Sequence, residues 1–109
     1  MAGLLGQALR GQGSAMTVVW SRRAIRHLAA LRRYIARENP RAAQGVAQSI
    51  LRAVELLQDH PQIGRAGRVP GTRELVIPKT PFVVPYRVRG GRLELIAVFH
   101  GRQRWPEDL

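Results

Sequence analysis

The chain has 109 residues, of which 45% are hydrophobic and 23% are charged, and it contains no cysteine. This length and composition fit one compact domain, and the lack of cysteine excludes disulfides, thiolate catalysis and cysteine-ligated metal sites. Eighteen basic residues, all arginine except Lys79, outnumber seven acidic ones and give a net charge of +11. Because guanidinium groups pair with phosphate and with carboxylate, nucleic acid and an acidic protein are both candidate partners.

The first part of the chain is distinct from the rest. Residues 1–15 contain four glycines and one charge, and they lack the basic start and continuous apolar core of a signal peptide. We therefore expect a disordered extension over 1–15 and a folded domain over 16–109, with translation starting naturally at Met16 rather than at Met1. No apolar run approaches the roughly 18 to 20 residues that span a bilayer, so we expect no membrane partner. The absence of cysteine gives no sign of an oxidising compartment, so we expect a cytoplasmic protein.

Two helices are predicted in the first half of the domain. A β-branched run over 17–20 predicts a short strand, and Ser21 is suited to cap the helix that follows. Asn39-Pro40 ends that helix and opens a second one, which closes at His60-Pro61. Apolar residues recur at helical spacing and predict a hairpin: Ile25, Leu28, Leu31 and Ile35 in the first helix, and Val46, Ile50, Val54 and Leu57 in the second.

The second half of the domain predicts three strands. Glycines and prolines over 61–72 predict a loop, followed by strands over 74–77, 82–89 and 93–100, the last two joined by a tight turn at Gly90-Gly91. Pro85 has no N–H to donate, so its strand must be bulged or exposed there. The order strand, helix, helix, strand, strand, strand indicates an α+β fold, with the helical hairpin packed on one face of a small antiparallel sheet.

Candidate functional residues are basic. Strand alternation places Arg87 and His100 on the sheet face away from the helices, and Arg65, Arg68 and Arg102 approach from flexible segments. Such a surface could hold a phosphate backbone while a histidine moves a proton. The alternative, which we favour, is a binding surface that an acidic partner covers. The three histidines lack metal-ligand spacing, so we expect no metal and no small-molecule cofactor.

Several short motifs, in this order and spacing, carry a family resemblance. They are Trp20-Ser21, Tyr34-Ile35-Ala36, Asn39-Pro40, Pro61, Gly64-Arg65, Gly71-Thr72-Arg73-Glu74-Leu75-Val76, Tyr86-Arg87-Val88, His100-Gly101 and Trp105-Pro106. Together they resemble the RelE/ParE toxins of bacterial type II toxin–antitoxin modules. The resemblance implies a basic toxin that is neutralised by a partly disordered, acidic antitoxin encoded beside it.

The resemblance leaves two mechanisms open. RelE-like members cut messenger RNA in the ribosomal A site, whereas ParE-like members poison DNA gyrase. The positions that carry the RelE lysines, strand-end arginine and tail tyrosine hold Glu74, Val76, Gly101 and Trp105 here, which undercuts that reaction because those groups stabilise the charged transition state. We therefore expect gyrase inhibition.

The alternative is a ribosome-dependent mRNA endonuclease. In it His100, Arg73 and Arg87 would be catalytic, and Arg65, Arg68 and Arg102 would contact the target or nucleic acid. A third reading is a degenerate toxin that retains antitoxin binding only.

Overall fold

The computed structural model describes residues 16–106, so the extension predicted over 1–15 lies outside the described residues. The elements are β1 (Thr17–Trp20), α1 (Arg22–Ala36), α2 (Pro40–Asp59), β2 (Arg65–Ala66), β3 (Arg73–Val76), β4 (Phe82–Arg89), β5 (Arg92–Leu95) and β6 (Phe99–His100). The predicted order of a strand, two helices and then strands is confirmed. No helix within the described range is long and apolar enough to cross a membrane.

The helix starts follow from local chemistry. The Ser21 side chain accepts a hydrogen bond of 2.9 Å from the Ala24 N–H, and its hydroxyl donates to the Ile96 carbonyl at 2.6 Å. Asn39 caps α2 in the same way, accepting from the Ala42 N–H at 3.0 Å. Each cap satisfies a main-chain donor that the first turn of a helix leaves free. Ser21 also fastens the start of α1 to the sheet.

The sheet is mixed rather than wholly antiparallel. Its strand order is β1-β5-β4-β3-β2, and β6 pairs with β4 beyond the end of β5. The pairs β2–β3, β3–β4, β4–β5 and β4–β6 are antiparallel, as expected. The remaining pair, β1–β5, is parallel. A parallel pair needs a long connection, and the helical hairpin and the intervening strands provide one.

The helices cover one face of the sheet and form the main core with it. Its fully or almost fully buried members are Ala24, Ile50, Val54, Leu57, Leu75, Ile77, Val84, Tyr86, Leu93, Leu95 and Val98. The predicted apolar stripe of α2 packs into or against this core, as expected. In α1, by contrast, Ile25 is 54% exposed and does not join the core. A second, smaller cluster of Ile96, Ala97 and Phe99 packs against Trp105.

A one-residue bulge divides the strand that we predicted over 93–100. Tyr86 pairs with Leu95 and Val83 pairs with Phe99, so four steps on one strand match three on the other. The extra residue lies opposite Pro85, which has no N–H to donate and whose carbonyl accepts from the Ile96 N–H at 2.9 Å. The expectation that the strand of Pro85 is itself bulged or exposed there is therefore wrong, because β4 is continuous and Pro85 is buried, and the irregularity lies in the partner strand.

The bulge changes which side chains share a face, because a shift of one residue reverses the alternation. Arg87 lies opposite Glu94, on the face away from the helices, whereas His100 lies opposite Phe82 and shares the other alternation. The expectation that Arg87 and His100 share one sheet face is therefore wrong. The sequence pattern did not reveal it, since residues 95–99, which include the bulge, are apolar on both alternations.

Candidate functional site

A buried carboxylate organises the basic loop between α2 and β3. Glu74 is 2% exposed and lies opposite Arg65 in the β2–β3 pair. The Arg65 Nε and Nη2 atoms donate to its Oε1 at 3.2 and 3.0 Å, and the Arg68 backbone N–H donates to its Oε2 at 2.8 Å. Because these bonds use both carboxylate oxygens, Glu74 fixes the positions of both arginines.

Tyr86 holds the start of the same loop. Its hydroxyl donates to the Pro61 carbonyl at 2.8 Å and accepts from the Gly64 N–H at 2.9 Å, and its ring is fully buried. A Cβ atom on Gly64 would lie only 2.5 Å from that hydroxyl, so this position requires glycine. Burial raises the pKa of the Tyr86 phenol. The neutral hydroxyl therefore remains available as both donor and acceptor at neutral pH.

Arg73 belongs to the support of the loop rather than to an open surface. Its Nη1 atom donates to the Gln62 carbonyl at 3.2 Å and to the Gly64 carbonyl at 2.9 Å. The loop is closed further along by a bond of 2.8 Å from the Gly67 N–H to the Thr72 carbonyl. The segment that we expected to be flexible is thus held by side chains from β3 and β4 at several points.

A row of contacting rings connects this loop to α1. The Arg68 guanidinium lies 3.6 Å from the centroid of the Trp105 ring, a cation–π contact. The Trp105 ring is 4.8 Å from that of Phe99, and the Phe99 ring is 5.2 Å from that of His27. The Trp105 indole N–H also donates to the His100 carbonyl at 3.2 Å. The tail is therefore docked on the loop and orients Arg68.

His27 has a structural role at the far end of this row. The Val98 N–H donates to its Nδ1 at 3.2 Å, within the segment that forms the bulge. Burial lowers the pKa of His27, and the charge of Arg23 lowers it further. Since Nδ1 can accept this bond only when it carries no proton, the neutral form of His27 holds residues 96–98 against α1.

His100 lines a cleft together with two of the predicted arginines. The cleft has a volume of about 510 Å³ and includes Arg65, Arg102, Phe82 and Val83 in its walls. The His100 Nδ1 accepts from the Arg102 backbone N–H at 3.1 Å, and its ring contacts the Phe82 ring edge-on at 6.0 Å. The cleft therefore combines a histidine whose Nδ1 is engaged with two cationic side chains.

Arg87 lies apart from this cleft. It lines a separate cleft of about 350 Å³ with Arg23, Arg89 and Glu94, at the start of α1. Of the six predicted site residues, the structure brings Arg65, Arg102 and His100 together and places Arg68 beside them through Glu74 and Trp105. Arg73 lies within the support of the loop, and Arg87 lies elsewhere on the sheet.

An apolar groove opens between α2 and β3. Its walls include Leu56, Ile63 and Val76, which are 52%, 48% and 47% exposed, and its volume is about 600 Å³. Arg52, Arg65 and Lys79 are also part of its lining. Exposed apolar surface with a charged border is typical of a site where another molecule binds.

Sequence reasoning missed two residues of this region. Glu74 was assigned no functional or structural role of its own, although it is the only acidic residue over 60–93, and its isolation among cations was an available signal. The contact between Tyr86 and Gly64 links two segments 22 residues apart, and no local pattern indicates it. Among residues 16–106 there is no group of three histidine, cysteine or acidic side chains that could hold a metal ion.

Comparison with known proteins places this arrangement in a family. The model of the ParE toxin of the type II toxin–antitoxin system parDE matches residues 18–105. "Putative toxin Y4kP" of Sinorhizobium fredii is 38% identical over 96 residues, which cover 88% of this chain and 99% of that protein. Toxin RelE2 of Caulobacter vibrioides is 34% identical over 83 residues, covering 76% of this chain and 92% of that protein.

A solved structure agrees with these relatives. A chain of the chromosomal ParDE TA system from P. aeruginosa superposes with a TM-score of 0.72 at 30% identity, covering 81% of this chain and 98% of that one. The family model spans both helices and every described strand apart from the first residue of β1. This chain therefore belongs to the ParE toxin family of type II toxin–antitoxin systems.

Proposed function

We propose that this toxin is neutralised by an acidic antitoxin and that it acts by binding and inhibiting DNA gyrase. The observation that supports binding over RNA cleavage is the separation of His100, Arg73 and Arg87. Cleavage requires acid, base and charge-stabilising groups around one phosphate. Here Arg73 donates to loop carbonyls, and Arg87 lies on the opposite sheet alternation from His100. The cytoplasm is the compartment that goes with this target.

The apolar groove supports an antitoxin partner. An amphipathic segment could bury Leu56, Ile63 and Val76 while its acidic residues pair with Arg52 and Lys79, as in other grooves that take an apolar helix face. The net charge of +11 likewise favours a negatively charged partner. We therefore assign the antitoxin to this groove within the proposal.

One observation favours a ribosomal nuclease as the second candidate. His100, Arg65 and Arg102 line the same cleft, so a phosphate could lie between a proton-transfer group and two cations. In this reading Arg65 would take the charge-stabilising role, and the other arginines named above would only position the message.

Induced expression of the full chain in bacteria separates the candidates. Messenger RNA 5′ ends are mapped beside plasmid supercoiling, and the purified chain is added to a gyrase supercoiling assay. Gyrase inhibition with intact messages, retained in His100→Ala, is the expected result. Codon-phased cuts that disappear in His100→Ala would overturn it in favour of the nuclease. Normal growth with intact antitoxin binding would instead identify a degenerate toxin.

The antitoxin assignment has its own test, which is the affinity of the chain for its co-encoded antitoxin. Leu56→Glu should weaken binding about tenfold or more, because it places a carboxylate in the apolar groove. Leu51→Glu is the matched control, since Leu51 is 47% exposed on the same helix but does not line the groove. Affinity should also fall as salt rises, because salt screens exposed charge pairs. Equal effects of the two variants would contradict the assignment.

A further inference from the structure

The cleft at the start of α1 has features that the proposed function does not use. It lies on the sheet face away from the helices, where β4 and β5 meet the first turn of α1, and it has a volume of about 350 Å³. Val19 and Ile96 contribute apolar walls, while Arg23 and Arg87 contribute guanidinium groups. In the sheet order it is at the end opposite the apolar groove, which lies along β3.

Both of these arginines have a buried donor without an acceptor. The Arg23 Nη1 and Arg87 Nε atoms are shielded from solvent, and neither has a hydrogen-bond partner among the residues that the structure describes. Buried polar groups in folded proteins are nearly always hydrogen-bonded. Two exceptions among the residues that line one small cleft point to an acceptor that another molecule supplies.

The charge of the cleft specifies the sign of that acceptor. Glu94 is the one carboxylate in its lining, and it bonds to Arg89, with both the Nε and the Nη2 distances at 3.0 Å. Arg87, although directly opposite Glu94 in the sheet, is left without a counter-ion in the described part of the chain. The first turn of α1 carries no acidic residue, so the positive end of the helix dipole adds to the same field.

We propose that this cleft binds a carboxylate carried by an acidic side chain of a protein partner. Two guanidinium groups suit a planar oxyanion with two acceptor oxygens. The apolar side chains of Val19 and Ile96 fit the methylene groups that precede a glutamate carboxylate. The cleft therefore favours carboxylate over phosphate.

Nuclear magnetic resonance of the arginine Nε–H groups of the full chain tests this site. Three probes are titrated at one ionic strength: hexaglutamate peptide, inorganic phosphate and a short single-stranded RNA. Saturable shifts of the Arg23 and Arg87 signals with hexaglutamate, at lower concentration than with either phosphate probe, are expected. Tighter binding of RNA or phosphate to these signals would overturn the proposal in favour of a phosphate site. An equal response to all three probes would mean that net charge alone attracts them, which would overturn the proposal. The absence of any response would overturn it as well.

Variants separate the cleft from the general basicity of the chain. Arg87→Gln should weaken hexaglutamate binding about tenfold, because it removes a charged hydrogen bond, whereas Arg41→Gln, an exposed arginine outside the cleft, should change it less than about twofold. Arg87→Lys keeps the charge but loses Nε–H and should also weaken binding. An Arg87 with only a structural role would instead lower the midpoint of thermal unfolding without changing hexaglutamate affinity. Equal affinities of the two glutamine variants would contradict the proposal and leave the gyrase result untouched.

Discussion

Two parts of this toxin contain arginines near a glutamate, and they differ in how the carboxylate is placed. In the loop before β3, Glu74 is 2% exposed and accepts from Arg65 and Arg68, so that region satisfies its own charges. At the start of α1, the Glu94 side chain is 26% exposed and bonds to the exposed Arg89.

The second region therefore leaves its more deeply placed arginines, Arg23 and Arg87, with free buried donors among the described residues. The position of one carboxylate, rather than the number of arginines, therefore decides whether a basic cluster supports the fold or stays available to a partner. Buried pairs require full hydrogen bonding, whereas exposed pairs contribute little.

The largest effect is expected at Tyr86, which anchors the loop before β3, where Glu74 pairs with the arginines. Tyr86→Ala removes a fully buried ring and should lower the free energy of unfolding by about 3–5 kcal/mol. Tyr86→Phe keeps the ring but leaves the Pro61 carbonyl and the Gly64 N–H without their partner, at a cost of about 1–3 kcal/mol. Urea denaturation measures both. Tyr34→Phe is the control, because Tyr34 is 73% exposed; an equal loss there would show that the hydroxyl bonds to the loop are unimportant.

The two glutamates offer a direct test of the comparison. Glu74→Gln should lower the free energy of unfolding by about 1–3 kcal/mol, since an amide cannot accept all the bonds made by Arg65 and Arg68. Glu94→Gln should change it by about 0–1 kcal/mol, because its pair is more exposed. Thermal unfolding of both variants in one buffer provides the measurement. If Glu94→Gln proved the more costly, the distinction between the regions would fail.

The helix caps should give a smaller difference. Ser21→Ala removes the cap of α1 and also the bond of 2.6 Å to the Ile96 carbonyl, so a loss of about 1–2 kcal/mol is expected. Asn39→Ala removes only an exposed cap and should cost about 0.5–1 kcal/mol. Chemical denaturation of the two variants tests whether Ser21 holds α1 to the sheet beside the cleft. Identical losses would indicate that the bond to Ile96 contributes nothing.

The smallest effect is a pH dependence at His27. Its pKa in the folded chain is lowered, by burial first and by Arg23 second, so the unfolded chain binds the proton more readily. The stability that neutral His27 contributes is present above its unfolded pKa of 6.5 and is lost as the pH falls below it. The unfolding midpoint should therefore drop between pH 7.5 and pH 5, and His27→Gln should reduce that drop. An unchanged drop in His27→Gln would assign the acid sensitivity to other groups.

Much of the fold could be predicted because its signals are local. The apolar spacing of α2, the caps Ser21 and Asn39, and the turn at Gly90-Gly91 each lie within a few residues. The parallel pairing of β1 with β5 could not be predicted, since it joins segments 75 residues apart and no local pattern in either strand specifies the other. Ile25 fits the helical stripe but is 54% exposed, although the adjacent Ala24 is fully buried in the core.

The candidate site was less predictable for two physical reasons. Residues 96–98 are apolar whichever face they occupy, so the bulge that separates His100 from Arg87 leaves no trace in the pattern. Arginines also look alike in a sequence, whereas their surroundings differ: Arg73 donates to two loop carbonyls, and Arg87 retains a free buried N–H within the described residues. The sequence was enough to group the candidate residues, but assigning a role to each one required the side-chain contacts that the structure shows.

The stack of Arg68 on Trp105 gives the basic loop an optical label of its own. The chain has two tryptophans, and the other, Trp20, lies in β1 at the far edge of the sheet. In a Trp20→Phe variant, emission would come from Trp105 alone, 3.6 Å from a guanidinium that belongs to the loop. A molecule that withdraws Arg68 from the indole would change the colour and intensity of that emission, whereas one that occupies only the cleft at α1 would leave it constant. A single spectrum could thus tell which end of the sheet a partner has bound.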